Sequence, residues 1–317
     1  MEKVELSSSL YDMNTYAGRA AHFYRSVNPL NLFKDTSGAK EIVEKVKANG
    51  GIIPTGMTRS MIWDAKYVYD SAYHPTTGEL VFMPGRMSFQ APGNCIIGSI
   101  MIIFYKTPIQ AISGQFINQS FNSTVNYCNS PQPKFVPQDF AVAASSACFA
   151  AYGLNQLAAK FGGALAARLV PFFAVAVANG INLPYMRRDE WQSPCHQGQG
   201  IPLMDDNGEI VGHSPKIGQE AITKVVLSRI IMATPSMVVP PLVINALSKP
   251  GKFLHKNPSM ANPITVALTG LALVAATPAA CAIWPQQDST HISNLEPELR
   301  EKLAAKGLST VYYNKGL

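Results

Sequence analysis

Six polar side chains lie inside stretches of this chain that carry almost no charge. Five are amides and one is a guanidinium: Asn118, Gln119, Asn155, Asn179, Asn182 and Arg229. Amides donate and accept hydrogen bonds, and a guanidinium binds carboxylates. Together they offer the partners that a small zwitterion requires for its ammonium and its carboxylate. The alternative is that the amides only join neighbouring helices by hydrogen bonds and that Arg229 lies at a helix end among lipid headgroups.

Prolines interrupt the same stretches. They are Pro171, Pro184, Pro235 and Pro278. A proline inside a helix removes one backbone donor and disturbs the preceding turn. Broken helices at mid-membrane expose backbone groups that bind ammonium and carboxylate groups. We therefore expect these four positions to be helix breaks beside a polar path.

The segment between Arg168 and Arg188 shows which element must position these groups. It contains a run of about 18 mostly apolar positions, which at 1.5 Å per residue nearly crosses a hydrocarbon core of about 30 Å. A core helix of a soluble protein would show a polar stripe every three to four residues, and this segment has none. A soluble enzyme with buried parallel strands is the alternative, but such strands run about 4–8 apolar residues. The segment therefore predicts a membrane-spanning helix.

The pattern extends along the chain and predicts an all-α fold, a polytopic membrane bundle of about five spans. Charged residues make up 15% of the chain, whereas soluble domains have about 25%. The predicted spans are 95–117, 140–159, 168–188, 225–247 and 263–284. The first is the least regular because Lys106 and Pro108 fall within it, so six spans remain an alternative. Five spans place the two termini on opposite sides, with the N-terminal region inside by the positive-inside bias.

Composition divides the chain into three regions. They are a soluble helical N-terminal region at 1–94, the transmembrane bundle at 95–285 and a polar C-terminal tail at 286–317. In the first region Thr58 is expected to cap a helix, and H-P-T-T-G-E at 74–79 is expected to form a turn. The segment 187–224 is expected to be a loop. The tail is expected to contain one short helix around Glu296–Lys306.

No group of residues predicts catalysis. The histidines are scattered outside the predicted spans, and Cys195, His196 and His213 form only a weak metal candidate without repeat spacing. The five cysteines include no C-x-x-C pair, which favours small buried side chains. Phosphate-binding glycine motifs and basic clusters with aromatics are also missing from the sequence. We therefore predict a protein that is not an enzyme, with no catalytic residue, metal, cofactor or nucleic-acid partner.

Several motifs occur in order along nearly the whole chain. They include G-R-A-A-H-F at 18–23, N-P-L-N-L-F at 28–33, H-P-T-T-G-E at 74–79, I-N-Q-S-F-N-S-T-V-N-Y at 117–127, R-L-V-P-F-F-A-V-A-V-A-N at 168–179 and Y-N-K-G-L at 313–317. In this order they resemble the sideroflexins, multi-span proteins of the mitochondrial inner membrane. Two positions depart from the family pattern: Thr76 stands where the family has Asp, and Ser113–Phe116 replaces an aromatic-rich segment. The loop near Trp191–Gln199 is also longer.

The resemblance implies a transporter of small neutral amino acids in the mitochondrial inner membrane. Serine, moved into the matrix for one-carbon metabolism, is the expected substrate, and the lipid bilayer is the expected surrounding. The alternative that the family leaves open is a scaffold that transports nothing and serves respiratory-complex assembly or iron homeostasis, with other mitochondrial membrane proteins as partners. The departures at Thr76 and Ser113–Phe116 bear on substrate choice more than on fold.

Overall fold

A computed structural model describes residues 3–6, 8–74, 77–104, 107–129, 137–161, 163–192 and 198–316. It confirms the predicted all-α membrane bundle and adds one small sheet. The helices are α1 (Tyr16–Ser26), α2 (Thr36–Ala48), α3 (Arg59–Ala72), α4 (Gln90–Phe104), α5 (Pro108–Asn129), α6 (Pro137–Phe161), α7 (Ala164–Met186), α8 (Arg188–Trp191), α9 (Pro215–Leu247), α10 (Phe253–Lys256), α11 (Ala261–Cys281) and α12 (Pro297–Ala305). The strands are β1 (Ile201–Met204), β2 (Ile210–Ser214), β3 (Gln287–His291) and β4 (Thr310–Asn314).

The prediction of one helix over 95–117 is wrong, because two helices occupy this range. The helices α4 and α5 run antiparallel. Gly114 of α5 lies against the side chain of Met101 near the end of α4. Asn129 at the end of α5 donates a hydrogen bond of 2.7 Å to the carbonyl of Gly85, just before α4. The two helices therefore form a hairpin.

Pro108 begins α5, where a fixed φ and a missing N–H suit the first turn of a helix. Lys106, which we expected inside a single helix, lies outside the described residues.

Within the described residues, four helical segments are long and apolar enough to cross a membrane: Met87–Phe104, Arg168–Met186, Pro215–Leu247 and Pro258–Cys281. The helices α5 and α6 are long enough but less apolar. The second predicted span, 140–159, is therefore helical within α6 but is not among these four.

Both terminal regions pack against the same end of the bundle. Arg19 of α1 donates a hydrogen bond of 2.8 Å to the carbonyl of Ala282, just after α11. Arg187, just after α7, donates one of 2.8 Å to the carbonyl of Lys315 in the tail. The prediction that the termini lie on opposite sides is therefore wrong, because the α4–α5 hairpin adds one reversal. We call this end the sheet end, and the opposite end, where residues 248–260 join α9 to α11, the loop end.

A four-stranded antiparallel sheet with the order β2-β1-β4-β3 lies at the sheet end. The segment 187–224, predicted as a loop, supplies two strands, and the tail supplies the other two together with α12, which the sequence did predict. Alternate side chains of β1 and β4 are buried against α9 and α12. Strands this short give too few alternating positions to be recognised in the sequence. The two pairs of strands meet in one sheet because α9 leaves the sheet end and α11 returns the chain to it.

The N-terminal region contains the predicted cap and turn. Thr58 caps α3 and accepts a hydrogen bond of 3.3 Å from the backbone N–H of Met61. In the 74–79 segment, the backbone N–H of Gly78 donates to the carbonyl of His74 at 2.9 Å. Gly78 has a φ of +67°, which glycine adopts without steric cost. Residues 75 and 76 lie outside the described residues.

His22 joins α1 to α3. Its Nδ1 lies 3.2 Å from the hydroxyl of Ser9 and 3.4 Å from the hydroxyl of Tyr67. Burial lowers the pKa of His22; Asp70 acts in the opposite direction and Lys66 adds to the lowering. The imidazole is therefore neutral at pH 7.

We expect the protein to lose stability as the pH falls below about 6.5, the usual pKa of histidine. The unfolded chain takes up a proton there, whereas folded His22 stays neutral to lower pH, so acid favours unfolding. Thermal unfolding of the detergent-solubilised protein from about pH 7.5 to about pH 5.5 measures this. His22→Gln should flatten the dependence of Tm on pH, and His291→Gln, at an exposed position, should not. Equal slopes in both variants would contradict the assignment.

The shared position of the termini is also testable. In a variant whose five native cysteines are replaced by serine, single cysteines introduced by Glu41→Cys in α2 and Asp206→Cys in the β1–β2 turn are at exposed positions near the sheet end. Lys252→Cys places a third at the loop end. In sealed vesicles of one orientation, a membrane-impermeant maleimide should label the first two from one side and the third only from the other. Labelling of positions 41 and 206 from opposite sides would restore the five-span arrangement.

Candidate functional site

A cavity of about 100 Å³ lies between α4, α5, α7, α9 and α11, in the half of the bundle nearer to the sheet end. Its described wall carries seven polar side chains: Gln90, Asn94, Asn118, Asn122, Asn179, Ser236 and Arg229. The helix α5 contributes two of them because positions 118 and 122 are four apart and share one helix face. The cavity is therefore a polar site enclosed by apolar helices.

The floor of the cavity, towards the loop end, is apolar. Met101 of α4 and Met237 of α9 line it and form a buried cluster with Ile97. Met101 is 2% exposed, whereas Asn94 and Asn179 of the wall are half-buried. Asn94 and Asn179 of the wall are thus more exposed than the two methionines, which line the loop-end side.

Arg229 of α9 is the single charged side chain among the described residues that line the cavity. The described wall contains no carboxylate. A guanidinium presents two parallel N–H groups to a carboxylate, and the attraction between unlike charges grows as water is excluded. The wall thus combines one group suited to a carboxylate with amide oxygens suited to an ammonium.

A second polar cluster lies on a neighbouring face of α5. The amide nitrogen of Asn182 in α7 donates to Gln119 Oε1 at 3.3 Å and to the carbonyl of Ala143 in α6 at 3.5 Å. Its Oδ1 accepts a hydrogen bond of 2.7 Å from the hydroxyl of Ser146. Asn182 is 5% exposed. The hydrogen bonds of this cluster therefore join α5, α6 and α7.

The structure separates the six predicted site residues into three groups. Asn118, Asn179 and Arg229 line the cavity, Gln119 and Asn182 belong to the interhelical cluster, and Asn155 lies in α6 outside both. The Nδ2 atom of Asn155 has no hydrogen-bond partner among the described residues. The predicted path therefore covers two different sites rather than one continuous line of amides.

The four predicted helix breaks do not interrupt the helices. Pro171 and Pro184 lie within α7, Pro235 within α9 and Pro278 within α11. Each proline lacks one backbone N–H, so one carbonyl of the preceding turn loses its hydrogen-bond partner. Neighbouring helices, side chains or water satisfy such a carbonyl without ending the helix. At the end of α7 the carbonyl of Pro184 accepts a hydrogen bond of 2.7 Å from the indole of Trp191, which satisfies one of the last carbonyls of the helix. The expectation that these positions break the helices is therefore wrong.

Sequence reasoning missed Gln90, Asn94, Asn122 and Ser236 as site residues. The first two were assigned to the N-terminal region because the first span was expected to start at residue 95. Once α4 is known to begin at Gln90, positions 90, 94 and 98 fall on one helix face at a spacing of four. That spacing was the available signal. Ser236 follows Pro235 in an otherwise apolar run, and nothing in the sequence distinguishes it from a helix-packing serine.

Comparison with known proteins identifies the chain's relatives. The sequence profile described as Sideroflexins matches residues 5–317. Sideroflexin-3 of Rattus norvegicus is 42% identical, and the match covers 99% of this chain and 98% of that protein. Sideroflexin-1 of Sus scrofa and of Homo sapiens are 41% and 42% identical, with the same coverage. No solved structure matches the chain. This membrane protein therefore belongs to the sideroflexin family.

Proposed function

We propose that this protein carries small neutral amino acids, with serine as the main substrate, across the mitochondrial inner membrane into the matrix for one-carbon metabolism. The cavity is the observation that carries the proposal. It combines a buried position within the bundle, one guanidinium and several amides. The family to which the chain belongs adds support, since the resemblance implies mitochondrial transport.

The size of the cavity favours a small solute. Its volume is about 100 Å³, whereas pockets for drug-sized ligands measure about 300–1,000 Å³. On the same measure, a space of about 10–15 Å³ already holds one water molecule. The space therefore suits a molecule of a few heavy atoms rather than a nucleotide, a sugar or an aromatic amino acid.

The chemistry of the wall favours a zwitterion with a neutral side chain. In the proposed complex, Arg229 binds the carboxylate, and the amide oxygens of Asn118 and Asn179 accept from the ammonium. Asn122 is placed to bind the hydroxyl of serine, and the Ser236 oxygen can accept from it, since the Ser236 O–H itself donates to the carbonyl of Ala233 at 3.0 Å. A lysine-like side chain lacks a carboxylate partner in the described wall, and an acidic side chain competes with the backbone carboxylate for the same guanidinium.

The closed floor supports a carrier rather than an open channel. We place the opening of the cavity towards the sheet end, because Met101 and Met237 form a buried cluster on its loop-end side. A carrier exposes one central site to each side in turn. Transport therefore requires a second state, in which the floor opens and the sheet end closes.

A scaffold that transports nothing is the second candidate. One observation favours it: large apolar side chains of the N-terminal region are exposed outside the spans. Phe33 is 86% exposed, and Leu30 and Phe82 are also exposed. Scattered apolar residues are normal on a surface, but three of this size suit contact with a partner protein of the respiratory chain or of iron metabolism.

Serine flux into liposomes that contain only the purified protein tests the carrier. We expect the wild type to transport serine and both Arg229→Gln and Asn179→Leu to reduce the initial rate at least about tenfold. Each substitution removes a hydrogen bond to a charged group, worth about 1.5–3 kcal/mol. Gln156→Leu, which replaces an exposed amide of α6, is the matched control and should keep the rate. Wild-type liposomes without substrate-specific flux would contradict the carrier and favour the scaffold.

The two amides of α7 should respond differently to the same substitution. We expect Asn182→Leu to lower the thermal stability of the solubilised protein, because Ser146 and Gln119 lose a partner worth about 0.6–2 kcal/mol. Asn179→Leu should leave stability nearly unchanged, since its side chain lines the cavity. Equal losses of stability would mean that Asn179 also joins helices.

A further inference from the structure

Gln115 of α5 is a buried amide that the described part of the bundle leaves unpaired. The residue is 0% exposed. Neither its Oε1 nor its Nε2 has a hydrogen-bond partner among the residues that the structure describes. An unpaired buried polar group is destabilising, whereas an apolar side chain of similar size avoids that penalty. Packing alone therefore does not explain an amide at this position.

The position of Gln115 relates it to the cavity. It precedes Asn118 by three residues and Gln119 by four, so all three lie on adjoining parts of one helix face. Its neighbour Gly114 lies against Met101 of the cavity floor, and a Cβ there would come within 3.1 Å of the Met101 side chain. Gln115 is therefore level with the floor and nearer to the loop end than Asn118.

Beyond Gln115, small side chains seal the bundle towards the loop end. One turn earlier in α5, a buried cluster joins three helices through Ala111, Ala151 and Ala174. One turn later, the same helices meet at Gln119, Ala143 and Asn182. The two sets of contacts are eight residues apart on each helix, so the residues four positions from both lie midway between them. These are Gln115 of α5, Ala147 of α6 and Ala178 of α7, and both alanines are 0% exposed. Neither side chain offers a hydrogen bond.

We propose that Gln115 is a second binding position for the transported amino acid, on the loop-end side of the floor. The inference rests on the proposed carrier function. When Met101 and Met237 move aside, the Gln115 amide donates through Nε2 to the substrate carboxylate and accepts through Oε1 from its ammonium. Methionine side chains are unbranched and flexible, which suits a floor that must move.

The unpaired amide also biases the equilibrium between states. In the present state Gln115 bears the penalty of an unpaired buried group, and in the opened state it has the substrate or water as a partner. The difference lowers the free energy of the opened state relative to the closed one. Gln115 thus contacts the substrate and eases the step from the cavity to the loop end.

The test is Gln115→Leu, measured in three ways on the full chain. We expect Tm in detergent to rise by about 2–4 °C, because an unpaired amide is removed. Equilibrium binding of serine to the solubilised protein should stay within about twofold, because the cavity residues are intact. Serine flux in liposomes should fall at least about tenfold, the change expected when one hydrogen bond to a charged group is lost. Gln156→Leu should change none of the three.

Each other outcome contradicts the proposal. A lower Tm would show that the amide is paired in the present state, for example by a buried water. Unchanged flux would show that the substrate does not use Gln115. If Gln115→Leu folds poorly, Gln115→Met provides the unbranched apolar replacement and the same three measurements decide. Absence of flux in the wild type would instead remove the carrier function itself, which the wild-type sample in the same experiment reveals.

Discussion

Lipid offers no hydrogen bonds, and this constraint decides where the polar groups of the bundle lie. Asn182 illustrates it, since its amide connects to side chains or carbonyls of α5 and α6 within 3.5 Å. Arg229 illustrates it in another way, because it lies at the wall of an internal cavity. Polar groups such as Asn182 that pair with each other hold the helices together, whereas Arg229 and the amides of the cavity wall face the space that we propose a solute enters.

The helix α5 separates these two uses. Its positions 118 and 122 line the cavity, and position 119 joins α6 and α7. Gln115 belongs to neither group in this state. One helix therefore carries structural amides and cavity-lining amides a few residues apart, so a change in the packing of α6 and α7 against α5 also changes the cavity. That arrangement suits a protein that changes between two states.

The sequence predicted the fold class, the family and three of the residues that line the cavity. Particular residues explain why these predictions succeeded and others failed. Long uncharged runs such as 169–186 identify spanning helices because length in lipid is fixed by its thickness. The α4–α5 hairpin was missed because Lys106 and Pro108 resemble an irregularity within one helix. The sheet was missed because β1 and β4 are about a hundred residues apart and each is short. Positions 118 and 119 of α5 are adjacent in sequence, but the first lines the cavity and the second contacts α7. Only the positions of the neighbouring helices show which of the two faces the cavity.

Protection of a single cysteine by substrate tests the central claim most directly. In a variant whose native cysteines are replaced by serine, Asn94→Cys places a thiol in the cavity wall at a position with no assigned substrate contact, and a small impermeant alkylating reagent should reach it from the sheet end. We predict that serine slows alkylation of this thiol in a saturable manner, at concentrations that also saturate transport. It should not slow alkylation of a control thiol introduced by Glu41→Cys, which is exposed at the sheet end. Alkylation at an unchanged rate in saturating serine, while transport continues, would show that the solute travels elsewhere.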